Sequence, residues 1–261
     1  MERPIGLFDS GVGGLTVLSK IKELLPNENI IYIGDNAHCP YGDKSMQELL
    51  VYTKAICDYF VKRNVKMIVL ACNTTSANVL EELQKTYPQV KIIGVIHSTV
   101  NELLKHQYSS VLIIATHATI QSHKYKELIH RCNEQIEVYE LETPALVPLI
   151  ESGEYKNGIK DTLKQYLLPY QDKVESLILG CTHYPIIQQQ ISEVLCGKSY
   201  ISSSDSICHE VYTYLSHCNL LNRSLCNGKV EVYTTGDVHE FRYSSEGFFD
   251  YRNIEVDHLD V

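Results

Sequence analysis

Two short segments of this chain, Ile68-Val69-Leu70-Ala71-Cys72-Asn73-Thr74 and Leu177-Ile178-Leu179-Gly180-Cys181-Thr182-His183, share one design: an apolar run delivers a cysteine that is followed at once by small polar residues. The thiolate is the reactive form of this side chain, so what surrounds each sulfur decides its use. An apolar run of this length reads as a strand buried on both faces, and Asn73-Thr74-Thr75-Ser76 and Tyr184-Pro185 then read as helix openings. Each cysteine would sit at the C-terminal mouth of a strand. In open α/β sheets that mouth is where ligands bind, and the amides of the following turn can receive an anion there. Two such mouths, one in each half of the chain, would face a single ligand from opposite sides.

The elements that must position these mouths alternate along the whole sequence. Apolar segments at 4–8, 30–34, 66–71, 91–95, 110–115, 136–140, 174–180 and 229–235 are interleaved with helix-like stretches at 14–25, 45–63, 76–86, 99–107, 119–132, 157–168, 185–196 and 205–217. Repeated β-α order favours parallel sheets with helices on both faces and right-handed crossovers. Because the two cysteine segments lie far apart and each closes a strand, the pattern reads as an α/β protein of two similar halves, with one eight-stranded barrel as the alternative. The expected domains are 1–95 completed by a returning C-terminal segment, 207–261, and a second α/β domain at 96–206.

Composition narrows the class. The 261 residues are 44% hydrophobic and 21% charged, an ordinary globular balance with enough apolar material for a large core. A formal charge of −9 without clustered Lys or Arg argues against DNA or RNA as a partner. Met1-Glu2-Arg3-Pro4 leads straight into a strand-like segment with no basic leader, and no run is long enough to cross a bilayer, so the expectation is a cytoplasmic protein with no membrane contact. Nine cysteines without C-x-x-C spacing fit neither a disulfide framework nor a zinc ribbon. Cys57, Cys132 and Cys196 read as small hydrophobic fillers.

Two further segments attract attention. Ile5-Gly6-Leu7-Phe8-Asp9-Ser10-Gly11-Val12-Gly13-Gly14 is a strand ending in an acid and a glycine-rich turn. Its spacing matches no phosphate-loop pattern and Asp9 would repel a phosphate, so the bland reading is a tight turn capped by Ser10. Asp35-Asn36-Ala37-His38-Cys39-Pro40-Tyr41-Gly42 follows another strand, and its Pro and Gly fix a turn that exposes backbone amides. The first three strand ends would bring Asp9, Tyr41-Gly42 and Cys72 toward one edge. Metal binding by His38 with Cys39, or by His183 with Cys181, lacks a multi-ligand spacing, and zinc on either thiol would disable it as a proton carrier. No pattern points to a pyridoxal-phosphate lysine.

The segments Asp9-Ser10-Gly11-Val12-Gly13-Gly14, Cys39-Pro40-Tyr41-Gly42, Ala71-Cys72-Asn73-Thr74 and Gly180-Cys181-Thr182-His183-Tyr184-Pro185, in this order over nearly the whole chain, resemble the glutamate racemases of the aspartate/glutamate racemase superfamily. The resemblance implies two α/β domains, each a doubly wound parallel sheet, related by pseudo-twofold symmetry with the active site in the cleft between them. It implies cofactor-independent, metal-free inversion of glutamate's α-carbon, supplying D-glutamate for peptidoglycan, and a homodimer. Carried over by motif, Cys72 and Cys181 would be the two acid/base groups. Asp9 would assist Cys72, while His183, with Glu151 from Val147-Pro148-Leu149-Ile150-Glu151, would assist Cys181. Asp9, Ser10, Pro40, Tyr41, Gly42, Asn73, Thr74, Thr182 and His183 would bind substrate. Thr116 and Thr119 fit a substrate-contacting T-x-x-T segment, although a helix cap also explains Thr119.

The chemistry explains why two cysteines are wanted. Inversion removes a proton from one face of a carbon and delivers another to the opposite face, which one rigid base cannot do. An unperturbed thiol of pKa about 8.5 is only roughly 3% thiolate at pH 7, a cost of about 2 kcal/mol that neighbours must offset. Asn73, Thr74 and Thr182 with nearby helix-start amides would hold the carboxylate and the charge developing at the α-carbon. The chain departs from the family pattern at Gly94-Val95-Ile96-His97-Ser98-Thr99, where many members carry Pro-Gly, and at Thr143-Pro144, where Cys-Pro is common; both bear on loop shape. It also lacks the N-terminal extension of members activated by a cell-wall precursor, so no such activation is expected. Two other readings stay open: the same two thiols acting on aspartate, and a non-catalytic module that binds a small ligand or phosphate at the glycine turn.

Overall fold

The computed structural model describes residues 3–252 and 254–261; Met1, Glu2 and Asn253, which fall within the expected domain ranges, lie outside the described residues. Among the described residues ten strands form two sheets in which every pairing is parallel. They are β1 (Ile5–Asp9), β2 (Ile30–Gly34), β3 (Met67–Leu70), β4 (Lys91–Gly94), β5 (Ser110–Ala115), β6 (Glu137–Glu142), β7 (Ser176–Gly180), β8 (Ser199–Ser202), β9 (Val230–Thr234) and β10 (Val256–His258). The first sheet has the order β10-β9-β2-β1-β3-β4 and the second β6-β5-β7-β8. The barrel alternative is thereby excluded. Within the first sheet the run β2-β1-β3-β4 repeats in the second as β6-β5-β7-β8, so β3 and β7, the two strands that end before a cysteine, occupy equivalent places. This is the pseudo-symmetry of two doubly wound units.

Alternation along the strands sorts the core. Leu7, Met67 and Val69 from the first sheet and Val111, Ile113 and Ile178 from the second point into one shared cluster, which places the inner faces of both sheets against common material. Phe8, Ile68 and Leu70 point the other way, onto the helix Met46–Lys62, and Leu177 and Leu179 onto the helices Leu146–Glu151, Tyr155–Leu167 and Gln188–Val194. The helix Ser203–His217 packs against both Leu15–Leu24 and Val95–Leu103, tying the halves together.

Several expected boundaries move for local reasons. The expected helix 119–132 breaks into His117–Gln121 and Lys124–Cys132 because His123 takes a left-handed conformation (φ 51°), one that His tolerates better than most residues. The expected helix 76–86 is two pieces, Asn73–Asn78 and Leu80–Thr86, separated at Val79. The helix expected at 99–107 starts at Val95 and ends at Leu103: Gly94 is its N-cap, and the Ser98 and Thr99 hydroxyls both donate to the Val95 carbonyl. The Gly94 to Thr99 departure is thus the first turn of a helix. Cys57 is buried as expected, but Cys132 and Cys196 are exposed at helix ends and fill nothing. Among the described residues no helix is long and apolar enough to cross a membrane.

Candidate active site

Strand register does most of the positioning. Asp9 of β1 lies beside Gly34 of β2, and Phe8 beside Leu70 of β3, so Ser10, Asp35 and Cys72 emerge at one edge. In the second sheet Ala115 lies beside both Glu142 and Gly180, so Thr116, Thr143 and Cys181 emerge together. The two edges enclose a cavity of about 640 Å³ that Cys72 and Cys181 both line. That volume falls in the range of small-molecule sites.

On the first edge, the Cys72 thiol donates to the Ser10 hydroxyl at 3.6 Å. Burial, followed by the negative charge of Asp9, pushes this thiol up to about 11. With that shift Cys72 is a thiol at neutral pH. Asp9 is fully buried and does not reach the cavity wall: its carboxylate accepts the amides of Gly11 (3.2 Å) and Gly14 (2.9 Å). Burial raises its pKa, opposed first by the charge of His183. Asp9, not Ser10, stitches the glycine turn, since the helix Leu15–Leu24 has no side-chain cap. The backbone of that turn is glycine for a reason local sequence does not reveal: a Cβ on Gly13 would stand 2.4 Å from Thr182 Oγ1 and 2.5 Å from His183 Nδ1. The turn is the seat into which the second half's cysteine loop docks, and Thr16 reinforces it by donating to the Thr182 carbonyl at 3.1 Å.

On the second edge, His183 bridges two partners. Its Nδ1 lies 3.7 Å from Cys181 Sγ and its Nε2 3.0 Å from Glu151 Oε1. Burial works against a charged imidazole here, but the sulfur and the carboxylate outweigh it and hold the His183 pKa well above its ordinary value. An imidazolium donating to sulfur is a fixed counter-ion for a thiolate. The two thiols thus sit in unlike settings, one beside a hydroxyl and a buried acid, the other beside a cationic ring.

The remaining residues singled out from the sequence are brought together. Ser10, Pro40, Tyr41, Gly42, Asn73 and Thr74 line the cavity from the first sheet's side, following a cis Cys39–Pro40 bond in the loop after β2. Thr116, Glu151, Thr182 and His183 line it from the second. Thr119 does not: it is buried behind the wall, where its hydroxyl meets those of Thr74 (3.3 Å) and Thr116 (3.0 Å). It lies inside its helix and caps nothing. Asn73 is pinned across the halves, accepting from Tyr125 Oη at 2.7 Å and donating to Ser203 Oγ at 3.3 Å. Thr143, at the Cys-Pro departure, is buried and shares a 2.5 Å hydrogen bond with Tyr184 Oη.

Sequence reading missed the outer wall, formed by Val147 and Pro148 on one side and by Gly236, Asp237, Glu240 and Ser244 on the other. The latter group belongs to the helix Val238–Ser245 and its lead-in, whose Asp237 cap followed by Glu240 was a readable start signal. It also missed Asp35, an acid at a strand end like Asp9. Among the described residues no three His, Cys, Asp or Glu side chains converge as a metal cage requires.

The pattern of the Asp/Glu/hydantoin racemase family matches residues 5–211, most of the chain, and the chain belongs to that family. The glutamate racemase of Lysinibacillus sphaericus is 38% identical over 263 aligned positions, which cover 98% of each chain. Among solved structures, the glutamate racemase isoform RacE1 from Bacillus anthracis superposes with a TM-score of 0.94 at 36% identity, covering 99% of this chain and 98% of that one. A Francisella tularensis glutamate racemase in complex with D-glutamate superposes at 0.90, also 36% identical, over 100% and 97%. The chain is an amino-acid racemase of the glutamate racemase group.

Proposed function

We propose that the protein interconverts L- and D-glutamate without a cofactor, with Cys72 and Cys181 as acid and base on opposite faces of the α-carbon. The observation that carries this is the equivalence of the two sulfurs: each follows the third strand of its unit, and both open on one cavity. One thiolate takes the α-proton while the opposite thiol supplies another, and the protonation states have exchanged after turnover. The enzyme is then set for the reverse direction. His183, held by Glu151, is the counter-ion at Cys181, and Asp9 works beside Cys72 from behind the wall. Ser10, Pro40, Tyr41, Gly42, Asn73, Thr74, Thr116 and Thr182 bind the substrate, with Thr119 fixing the hydroxyls of Thr74 and Thr116.

Glutamate is favoured over aspartate because the relatives aligned over their full length are named for it, one of them with D-glutamate bound. The same resemblance supports a cytoplasmic homodimer that supplies D-glutamate to peptidoglycan synthesis. The division into 1–95 with 207–261 and 96–206 belongs to this reading, supported by β9 and β10 extending the first sheet. The test is incubation with each enantiomer of glutamate and aspartate in deuterated water, followed by chiral analysis. Deuterium enters the α-carbon of inverted glutamate if the reading is right; label without inversion rejects the two-base scheme. Replacing Cys72 or Cys181 by Ser cuts racemisation by at least roughly 100-fold, as for other acid/base deletions.

A further inference from the structure

Among the described residues Asp35 is one of few acids that are almost wholly enclosed, with 1% of its surface exposed, and it does not line the cavity. A carboxylate is costly to bury unless its oxygens are bonded. Here both are. Tyr41 Oη donates to Oδ2 at 2.5 Å, Thr235 Oγ1 donates to Oδ1 at 2.6 Å, and His38 Nδ1 sits 2.9 Å and 3.0 Å from the two oxygens. These donors come from the two chain segments that flank the end of β2: the loop of residues 36–43, and the residues directly after β9.

The same two segments are joined again around this centre. The Ala37 amide donates to Thr235 Oγ1 at 3.1 Å, and Thr234 Oγ1 donates to Asn36 Oδ1 at 3.3 Å. Tyr41 is enclosed against the rings of Phe8 and Tyr52, while His38 stacks flat on Tyr52 with centroids 3.8 Å apart. The loop presents Asn36, Ala37 and residues 39–43 to the cavity, Pro40, Tyr41 and Gly42 among them, and the other segment presents Gly236 and Asp237. Gly42 also abuts the second half, since a Cβ there would stand 3.1 Å from Thr116 Cβ. Thr143, which follows β6 as Asp35 follows β2, shares a hydrogen bond with a tyrosine hydroxyl, Tyr184 Oη.

We infer that Asp35 is a positioning residue, fixing Tyr41 and its loop against the end of β9 so that the wall that receives glutamate is formed before substrate arrives. This rests on the reading that Tyr41 and Gly42 bind glutamate. A pre-formed wall lowers the ordering cost of binding and leaves proton transfer to the thiols.

The test is a double-mutant cycle on the full-length protein with Asp35→Asn, Tyr41→Phe and the double variant, measuring KM and kcat for D-glutamate. Each single change is expected to raise KM at least about tenfold with kcat within about threefold, the worth of a charge-assisted hydrogen bond. Because Asp35 acts through Tyr41, the double variant is no worse than the more affected single one. Multiplying effects, a KM unchanged by Asp35→Asn, or a loss confined to kcat would overturn the inference. If Asp35→Asn does not fold, Thr235→Ala and Tyr41→Phe carry the test, and wild-type KM in both overturns it. Wild-type protein run alongside in deuterated water separates the two levels: without α-proton exchange in glutamate both readings fall, whereas normal exchange with an unaltered Asp35→Asn KM sinks only this one.

Discussion

Gly13→Ala is the sharpest perturbation of how the two halves fit. The added Cβ would lie 2.4 Å from Thr182 Oγ1, 2.5 Å from His183 Nδ1 and 2.6 Å from His183 Cε1, where ordinary contact begins at 3.4 Å. Roughly 1 Å must be found, and a displacement of that size in a reacting group costs on the order of 100-fold in rate. The ring cannot retreat freely, because its two nitrogens are held at 3.7 Å to Cys181 and 3.0 Å to Glu151. Overpacking adds about 1–3 kcal/mol of destabilisation, seen as a lower melting temperature. Two controls isolate the cause. Gly11→Ala meets nothing closer than 3.6 Å, and Gly158→Ala, inside the helix Tyr155–Leu167, meets nothing within 4 Å. The first should retain kcat/KM within about threefold and the second should gain about 0.5–1 kcal/mol from helix propensity. The assay is glutamate racemisation followed by chiral chromatography, with thermal unfolding by circular dichroism. A Gly13→Ala protein with wild-type kcat/KM and melting temperature would refute the docking argument.

Glu151→Gln removes the carboxylate that helps keep His183 charged, so the His183 pKa falls, the alkaline decline of kcat/KM begins at lower pH, and activity at pH 8 drops about tenfold; superimposable pH profiles would contradict this. Because the folded-state pKa of His183 is raised, its contribution to stability is complete below about pH 6.5 and fades as pH climbs through the folded value. Urea unfolding at pH 6 and pH 9 should therefore show wild type losing more stability with rising pH than Glu151→Gln does. Lys66→Met strands the buried Glu28 carboxylate, which pairs with Lys66 Nζ at 2.5 Å with both side chains 2% exposed, and frees the Leu220 carbonyl. Denaturant titration should register a loss of about 3–5 kcal/mol. Tyr125→Phe removes the donor to Asn73 Oδ1 and should cost about 1–3 kcal/mol in the same experiment.

What sequence reading recovered is what burial on both faces dictates. β1, β3, β5 and β7 are continuous apolar runs, and their ends are where Asp9, Cys72, Thr116 and Cys181 emerge. What it missed carries little hydrophobic signal. β8 reads Ser-Tyr-Ile-Ser and β10 Val-Asp-His, and each is a strand at a sheet edge because a neighbour supplies hydrogen bonds, not because its own residues demand it. The helix Leu146–Glu151 contains Pro148, which a local reading takes for a break. It is nonetheless the helix that delivers Glu151 to His183.

The glycine turn shows why site geometry was only half legible. Residue types at Asp9 to Gly14 fit several local stories, among them a phosphate loop and a capped turn, and nothing within those residues decides between them. The deciding atoms belong to Thr182 and His183, some 170 positions away in sequence. The glycines are needed because another part of the protein must come that close, and the acid is needed because the turn's own amides require an acceptor once water is excluded. The same argument separates the two thiols. Local sequence already sets His183 two residues after Cys181, but it takes the fold to bring Asp9 near Cys72 and Glu151 against the His183 ring. The difference between the two sulfurs is therefore one of tertiary surroundings, a hydroxyl from the strand β1 turn at one and a ring held by a carboxylate from another helix at the other.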